Sequence, residues 1–348
     1  MKIGIDISLA KGRPAGIGRY SEELLQAFAR IGLKGNSIVG YSAPGWIDHA
    51  LWLQAVAPFS LIKDRIDRFH STNLVMPLLP ACPTIVTVHD LSTYAFPETH
   101  TLKHRLHMSL IPYAVKHAST VIVPTSAVAD ELLSRFKIDA SRVAVVHEGV
   151  NRRFRPVSDR APLSAVKKKY GLPDEFILYV GTLEPRKNIN GMFAAFALVR
   201  DKMKGIKLVI AGKKGWRYGE IFQRVSELGL AADVVFPGYV DDEDLVFLYN
   251  CSRAFVYPSF YEGFGLPVLE AMACGIPVVA SDIPAVAEVA GGEAMLVPPG
   301  RSDRIAEAML AAALDDRVRG DLSRRGRERA SRFTWEKCAE QTLEVYLR

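Results

Sequence analysis

Two glutamates spaced eight residues apart, Glu262 and Glu270, enclose the most informative stretch of the chain, YEGFGLPVLE. Between them lie four residues whose backbone amides are expected at the start of a helix: Gly263, Phe264, Gly265 and Leu266. Amides at a helix start favour phosphate, and carboxylates accept hydrogen bonds from sugar hydroxyls. This order therefore predicts a ligand with a central diphosphate and a hydroxyl-bearing ring on each side. The alternative, two ordinary solvated glutamates, fits less well because Ala271, Met272 and Ala273 make the helix largely apolar.

A pair of adjacent cations, Arg186 and Lys187, follows the apolar run 176–180 within the segment GTLEPRKN. Arginine offers a planar fork of donors and lysine a compact charge, and both stabilise negative charge that grows on a leaving phosphate. Pro185 restricts the backbone that presents them. The alternative is an exposed basic turn, which explains either cation alone better than it explains both beside a strand end.

The first strand pattern is followed by a loop that contains Gly16 and Gly18, ahead of a helical pattern at residues 20–31. Glycines let a backbone approach a ligand closely, so the loop is either a phosphate-contacting loop or a flexible surface turn. It is not a dinucleotide GxGxxG, because Ser21 stands in place of the third glycine, and it lacks the Gly-Lys-Ser/Thr of a Walker loop.

A histidine, His89, follows the apolar run 85–88 and is therefore expected at the carboxyl end of a strand. A lone histidine is more often a packing residue than a catalyst, but this position would let it touch a bound sugar. Its neighbour Asp90 either orients the imidazole or caps the segment that follows.

The acidic run at residues 241–244 does not form a convincing metal site. A divalent cation would need an Asp-x-Asp at a strand end, whereas acids at a helix start more simply complement the helix dipole. We predict catalysis without a bound metal and without any other cofactor. The sequence shows no basic groove interleaved with aromatic residues, so we expect no nucleic-acid partner.

Short β-branched runs alternate with helical patterns, which predicts parallel sheets with helices on both faces. A stretch rich in proline and charge, residues 152–174, interrupts this alternation once. We therefore predict an α/β fold of two Rossmann-like, doubly wound domains that face one another across a cleft. The first covers residues 1–155 and is joined by a C-terminal helix at 335–348, and the second covers residues 156–334. Ligands of such sheets bind beyond the carboxyl ends of the strands.

The bulk composition is typical of a cytoplasmic globular protein, with 348 residues, 49% hydrophobic side chains and a formal net charge of +6. Asp6 breaks the N-terminal apolar run early, so we expect no signal peptide, and no apolar run is long enough to span a bilayer. The four cysteines are scattered without metal-type pairing.

Residues 102–117 belong to a longer stretch, from Thr99 to Ala129, without any aspartate or glutamate. Cationic side chains alternate there with leucines, which is typical of a segment that contacts an anionic lipid carrier or the inner membrane face. The second interpretation, which we prefer, is an ordinary amphipathic helix packed on the sheet with its cations in water.

The chain resembles the family 4 retaining glycosyltransferases of GT-B fold. YEGFGLPVLEAMACGIPVVASD is similar to their E-x7-E signature, and GTLEPRKN resembles the loop that supplies Arg and Lys to the donor diphosphate. VHD at residues 88–90, VPTSAVADEL from Val123, FPGYV at 236–240 and the terminal FTWEKCAEQTLEVY follow family patterns in the same order. The resemblance covers nearly the whole chain.

The resemblance implies a role for each candidate in the second domain. Glu262 would lie near the donor sugar, and Glu270 would accept hydrogen bonds from the ribose. Arg186 and Lys187 would bind the diphosphate. Many family members carry an arginine directly after the glycine of the second-domain strand, but here Thr182 follows Gly181, so the two cations would act without that helper.

The resemblance implies that the first domain is the acceptor side and that the second binds the nucleotide-sugar. The other implied roles concern the first domain and the nucleotide base. Gly16 would belong to a phosphate loop, which in many members contains Gly-Gly but here reads Gly-Ile-Gly. His89 would face the donor sugar across the cleft, and Tyr239 and Val240 would hold the base.

The function implied by the resemblance is transfer of a hexose, with retained configuration and without a metal, from a nucleotide-sugar to a saccharide or lipid-linked acceptor. The setting would be bacterial surface polysaccharide or lipopolysaccharide synthesis at the cytoplasmic side of the membrane. GTLEPRKN resembles mannosyltransferases of the family, which favours GDP-mannose as the donor. Two alternatives stay open: a nucleotide-sugar epimerase of the same architecture, which would need no acceptor, and a non-catalytic nucleotide-sugar sensor.

Overall fold

The computed structural model describes residues 1–10, 16–96, 108–215 and 217–348. The chain divides into two compact units. The N-terminal unit comprises residues 1–149 and 333–348, and the C-terminal unit comprises residues 150–332. The sequence prediction places these boundaries at 155 and 334. Each unit is built on its own six-stranded sheet.

The sheet of the N-terminal unit is entirely parallel and has the order β2-β1-β3-β4-β5-β6. Its strands are β1 (Lys2–Asp6), β2 (Ser37–Tyr41), β3 (Arg68–Ser71), β4 (Thr84–Thr87), β5 (Thr120–Val123) and β6 (Val143–Val145). The central strands are buried on both faces, as expected for a parallel sheet covered by helices.

The described helices of this unit are α1 (Gly16–Ile31), α2 (His49–Ala55), α3 (Ala57–Lys63), α4 (Ser92–Ala95), α5 (Ile111–His117), α6 (Ser126–Phe136) and, at the end of the chain, α15 (Trp335–Leu347). The prediction that Gly16 and Gly18 precede the first helix is wrong, because α1 already begins at Gly16. Of the helix predicted at 102–117, residues 102–107 lie outside the described residues, and α5 occupies the end of that range.

Sequence patterns missed β3, the helices α2 and α3, and the four-residue α4. The strand β3 has the sequence RFHS, and its polar residues His70 and Ser71 are completely buried. A buried strand that carries a histidine and a serine lacks the β-branched run by which strands are identified. The two helices have only seven residues each, too few for a helical period to stand out.

The sheet of the C-terminal unit is also parallel and has the order β12-β11-β10-β7-β8-β9. All six strands predicted for this half are present: β7 (Glu175–Val180), β8 (Ile206–Ala211), β9 (Val234–Gly238), β10 (Ala254–Tyr257), β11 (Val278–Ser281) and β12 (Met295–Val297).

The helices of this unit are α7 (Arg160–Tyr170), α8 (Ile189–Val199), α9 (Gly219–Glu227), α10 (Leu245–Cys251), α11 (Leu266–Ala273), α12 (Pro284–Ala290), α13 (Ser302–Leu314) and α14 (Asp316–Ala330). Apolar side chains of α8, α11 and α13 bury the faces of the sheet. Within the residues that the structure covers, none of the helices combines the length and apolar content needed to cross a bilayer.

Candidate active site

Two loops at the carboxyl edge of the C-terminal sheet hold the candidate residues together. Strands β7 and β10 are neighbours, so the segments that follow them emerge side by side, where ligands of doubly wound sheets bind. After β7 the chain forms a short 3-10 turn, Pro185–Lys187. The amide of Phe260, in the loop after β10, donates to the carbonyl oxygen of Arg186 at 2.9 Å. This backbone hydrogen bond holds the loop that carries the two cations against the loop that carries Glu262.

Lys187 and Glu262 form the closest ion pair of the site. The Nζ of Lys187 lies 2.6 Å from Oε1 of Glu262 and donates to the Tyr257 hydroxyl at 3.0 Å. Both side chains are less than a tenth exposed. Tyr257 was not singled out from the sequence, since it ends an apolar strand and reads as a core residue.

Arg186 lies between two carboxylates. It donates through Nε and Nη2 to Oε1 of Glu184 at 3.1 and 2.8 Å, and through Nη1 to the carbonyl oxygen of Tyr261 at 3.0 Å. Its Nη1 also lies 3.5 Å from Oε2 of Glu262. Glu184 was missed by the sequence analysis, although it precedes Pro185 in the same segment.

The four side chains Glu184, Arg186, Lys187 and Glu262 balance each other with two charges of each sign. Burial raises the pKa of the Glu262 carboxyl, but the charges of Lys187 and Arg186 outweigh burial and hold that pKa below its ordinary value. Burial together with the charge of Arg186 lowers the pKa of the Lys187 ammonium, against the opposing effect of Glu262. A carboxylate and two cations therefore stand in a site with little water around them.

The start of α11 lies directly after Glu262. Gly265 has φ of +104°, which favours glycine, and serves as the N-cap, and a proline stands in the first turn. Gly263, Phe264 and Gly265 are buried, and Leu266 is half-buried. A helix of eight residues thus begins beside the charged cluster, and the partial positive charge at its start favours an anion there.

Glu270 lies one turn into α11 and is only 3% exposed. The hydroxyl of Tyr249, on α10, donates to its Oε2 at 2.8 Å. The structure brings Glu262 together with Arg186 and Lys187, whereas Glu270 lies in this separate contact with α10. Its assignment to a ribose stays a prediction.

The residues predicted at the nucleotide base follow strand β9. Tyr239 is half-buried, its ring lies 4.7 Å from the Nζ of Lys213, and Val240 is buried. Lys213 comes from the end of β8, after Gly212. A Cβ at Gly212, whose φ is +153°, would lie within 2 Å of the carbonyl oxygen of Gly181. Only glycine lets the ends of β7 and β8 come this close. The close approach of the two backbones leaves no room for a side chain at this point of the site.

His89, in the N-terminal unit, follows β4 and is held on both sides of its ring. Nδ1 lies 3.1 Å from Oε1 of Glu148, and Nε2 lies 3.0 Å from the carbonyl oxygen of Thr72. A hydrogen bond from the His89 imidazole to a sugar would therefore replace one of these two contacts. Asp90 accepts a hydrogen bond from the amide of Ser92 at Oδ1, at 2.9 Å, just ahead of α4, whose N-cap position is Leu91. The partner Glu148, 59 residues away, was missed.

A second histidine contact of the N-terminal unit was also missed. The Nε2 of His49 lies 2.7 Å from Oδ2 of Asp6, and Ser8 donates to Oδ1 of the same carboxylate. Asp6 ends β1, so the contact lies at the carboxyl edge of the sheet, on the strand that leads toward Gly16 and Gly18. Those two glycines occupy the first turn of α1.

The acidic run at 241–244 lies at the start of α10 and forms ion pairs with Lys169. The Nζ of Lys169 lies 3.0 Å from Asp241 and 2.6 Å from Asp244, and Asp244 occupies the N-cap position of α10 without a side-chain capping hydrogen bond. Across the described ranges of the chain, no group of three or more His, Cys, Asp or Glu side chains is arranged to hold a metal ion. The expectation of metal-free catalysis stays a prediction.

The chain matches two known families over most of its length. Residues 164–329 match the family described as "Glycosyl transferases group 1", and residues 21–154 match the one described as "Glycosyltransferase Family 4".

Among similar proteins, the chain is 34% identical over 291 residues to "O-antigen chain mannosyltransferase B" of Escherichia coli, covering 82% of this chain and 74% of that protein. It is 32% identical over 237 residues to "Serotype-specific mannosyltransferase WbdA" of the same species, covering 67% of this chain but only 29% of that one. The solved structure of sucrose-phosphate synthase from Thermosynechococcus elongatus has a TM-score of 0.79 at 23% identity, covering 99% of this chain and 98% of that one.

Proposed function

We propose that this chain, which belongs to the family of group 1 glycosyl transferases with a family 4 N-terminal segment, transfers a hexose from a nucleotide-sugar to an acceptor hydroxyl. The predicted glycosyltransferase fold, GT-B with two Rossmann-like units, is confirmed by the two parallel sheets and by the structural neighbour. The observation that carries the proposal is the cluster of Arg186, Lys187 and Glu262 beside the start of α11.

The chemistry of the transfer matches the charges of this cluster. When the bond between the anomeric carbon and the diphosphate oxygen breaks, its electron pair stays on the diphosphate while positive charge develops on the sugar ring. Arg186, Lys187 and the start of α11 would stabilise the leaving diphosphate, and the Glu262 carboxylate would stabilise the sugar-ring charge. The acceptor hydroxyl then bonds to the anomeric carbon, and its proton would pass to the oxygen of the leaving diphosphate. Retained configuration is inferred from the family alone.

We propose mannose as the sugar and GDP-mannose as the donor. Two relatives carry the name mannosyltransferase, and the donor loop GTLEPRKN has the pattern that led to the same expectation. The acceptor would be a growing surface polysaccharide or a lipid-linked saccharide, since the names of these relatives refer to O-antigen chains and serotypes. We place the reaction in the cytoplasm, with peripheral contact at the inner membrane face.

The two alternatives differ from this proposal in what they do with a donor. A nucleotide-sugar epimerase would convert the donor with no acceptor present, and a non-catalytic sensor would bind it without any turnover. Arg186, Lys187 and Glu262 lie together in a single cluster, which favours a catalytic protein over a non-catalytic sensor.

A thermal-shift screen across GDP, UDP and ADP with their sugars, followed by a transfer assay, tests the proposal. We expect GDP-mannose to stabilise the protein most and radiolabelled mannose to pass to a soluble α-linked mannotriose. Lys187→Ala is expected to lower turnover by about two to three orders of magnitude, because one contact to the leaving diphosphate is lost, while circular dichroism stays unchanged. Lys168→Ala, which removes an exposed lysine of α7, serves as the control. Stabilisation by another nucleotide, or near-normal turnover of Lys187→Ala, would contradict the proposal.

A further inference from the structure

A cavity of about 220 Å³ opens beside the donor loop within the C-terminal unit. Its lining includes the 3-10 turn after β7, the starts of α8 and α9, and Phe260 in the loop after β10. We propose that this cavity binds one ring of a neutral saccharide, as a subsite for the sugar acceptor. The inference rests on the proposed function, which identifies the acceptor as a saccharide.

The floor of the cavity is mostly apolar. Pro185, Ile189 and Ile221 contribute to it, and the ring of Phe260 forms one wall. Phe260 is 43% exposed, unusual for a phenylalanine in a loop that is otherwise largely buried. An exposed aromatic face next to a shallow apolar floor is suited to the C–H face of a sugar ring, because ligand sites combine apolar walls with a few polar groups.

The charged side chains of the cavity argue for a neutral ligand. Glu184 and Glu220 contribute two carboxylates and Arg217 one guanidinium. Glu220 pairs with Arg217 and Glu184 with Arg186, so each of these charges already has a partner of opposite sign and no net positive charge is left for a phosphate. The starts of α8 and α9 would attract an anion, but the two carboxylates oppose that attraction. Carboxylates and a guanidinium are, however, matched to the hydroxyl groups of a saccharide, which both accept and donate hydrogen bonds.

Two lining residues connect the cavity to the cluster of Glu184, Arg186, Lys187 and Glu262, here called the donor cluster. Glu184 lines the cavity and also accepts two hydrogen bonds from Arg186. Phe260 lines it while its amide holds the carbonyl oxygen of Arg186. A saccharide ring in this cavity would therefore lie directly beside the loop assigned to the donor diphosphate, as a second sugar of the acceptor would.

Two substitutions test the subsite without touching the donor cluster. Phe260→Ala removes the aromatic wall but keeps the backbone amide that contacts Arg186, and Glu220→Gln removes one rim charge. Each has a matched control. Phe59→Ala removes a 73% exposed phenylalanine of α3. Glu227→Gln changes a glutamate on the same helix as Glu220, and each of these glutamates pairs with an arginine three residues earlier.

The measurements are the KM for soluble α-linked mannotriose, the KM for GDP-mannose, and saturation-transfer NMR of mannotriose with the whole chain. We expect Phe260→Ala to raise the mannotriose KM about tenfold, equivalent to about 1.4 kcal/mol, and to reduce the saturation-transfer signal at the same mannotriose concentration. Glu220→Gln should raise that KM by a smaller factor. The donor KM should stay within a factor of two of the wild type in both, and the two controls should match the wild type throughout.

The outcomes separate this inference from the proposed function. An unchanged mannotriose KM in Phe260→Ala, with normal transfer, overturns the subsite alone. Absence of any saturation transfer from the wild type to mannotriose also overturns it. If mannotriose binds and Phe260→Ala weakens binding, but no nucleotide-sugar is turned over, the subsite stands and the proposed function fails.

Discussion

At the scale of single residues, the donor cluster is electrically balanced before any ligand arrives. Lys187 is held by Glu262 at 2.6 Å, and Arg186 is held mainly by Glu184. An anionic diphosphate can reach these cations only by sharing them with their carboxylates. The carboxylates thus keep two buried cations in place and at the same time weaken the attraction for the leaving group.

We predict that Glu262→Gln separates binding from turnover. The substitution removes a negative charge next to Lys187, so the affinity for GDP should rise several-fold, since like charge no longer opposes the diphosphate. Turnover should fall by about two orders of magnitude, as observed when a group that stabilises developing charge is removed. Calorimetry with GDP and the transfer assay measure the two effects.

The control for this prediction is Glu175→Gln. Glu175 also pairs with an arginine, Arg253, at 2.6 Å, but it lies at the opposite end of strand β7. Its substitution should change neither quantity. Weaker GDP binding by Glu262→Gln would show that the carboxylate organises the cations rather than competing with the ligand.

We predict that Glu270→Ala lowers the affinity for free GDP by about one to two orders of magnitude, because a hydrogen bond to a charged group typically contributes about 1.5–3 kcal/mol. The same change leaves the buried Tyr249 hydroxyl without this acceptor, so it also destabilises the fold. Tyr249→Phe separates the two effects, since it breaks the contact but keeps the carboxylate. Equal GDP affinity in wild type and Glu270→Ala would remove the ribose assignment.

At the scale of elements, a buried histidine attaches the last helix to the N-terminal sheet. His70, on β3, is completely buried, and its ring nitrogens lie 2.6 Å from the Tyr346 hydroxyl on α15 and 2.7 Å from the Thr87 hydroxyl on β4. A Cβ at Gly149 would clash with the backbone of Trp335, so the start of α15 also packs directly on the chain that leaves β6. The final helix is thereby part of the N-terminal unit.

We predict that this histidine makes the stability of the N-terminal unit depend on pH. Burial and the nearby His89 lower the pKa of His70 to about 3, against a smaller opposite effect of Asp6. In the unfolded chain the same ring has a pKa of about 6.5, so the unfolded state binds one more proton between these values. The free energy of unfolding should therefore fall by up to about 1.4 kcal/mol per unit as pH drops below about 6.

Urea unfolding at pH 6.5 and pH 5.0 measures this dependence. Tryptophan fluorescence reports mainly on the N-terminal unit, because Trp46, Trp52 and Trp335 lie in it. His70→Gln should flatten the change in unfolding free energy between the two pH values, and His117→Gln, at an exposed position, should leave it as in the wild type. Equal changes in all three proteins would show that another group controls the acid sensitivity.

At the scale of the whole molecule, each unit presents a parallel sheet whose carboxyl edge carries polar residues. In the C-terminal unit this edge collects the donor cluster, and in the N-terminal unit it collects His89 with Glu148 and Asp6 with His49. In the proposed reaction, side chains and a helix start would supply the charge that stabilises the leaving diphosphate, which is work that a divalent cation performs in other sites.

We predict that an excess of chelator leaves transfer unchanged, because Arg186 and Lys187 supply the positive charge at the diphosphate. The measurement is the transfer rate before and after treatment with EDTA and removal of the chelator by dialysis. Loss of activity that returns with Mg²⁺ or Mn²⁺, and not with Na⁺ at equal ionic strength, would defeat the metal-free proposal.

The elements that sequence patterns predicted well are those whose signal is local. The strands of the C-terminal unit are short apolar runs such as FILYV and LVIA, bounded by glycine and proline, and all six were predicted. Strand β3 was missed because its buried His70 and Ser71 are satisfied by Tyr346, Thr87 and the Val75 carbonyl. The two partners of His70 lie 276 and 17 residues away along the chain, so a local pattern does not contain them.

The sequence by itself determined the alternation of strands and helices and the types and spacing of the candidate residues, because hydrophobic periodicity and short motifs are local properties. Tertiary structure alone decided which side chains meet. Lys187 contacts Glu262 across 75 residues, and His89 contacts Glu148 across 59. These pairings follow from the order of strands in each sheet, since that order sets which loops emerge side by side.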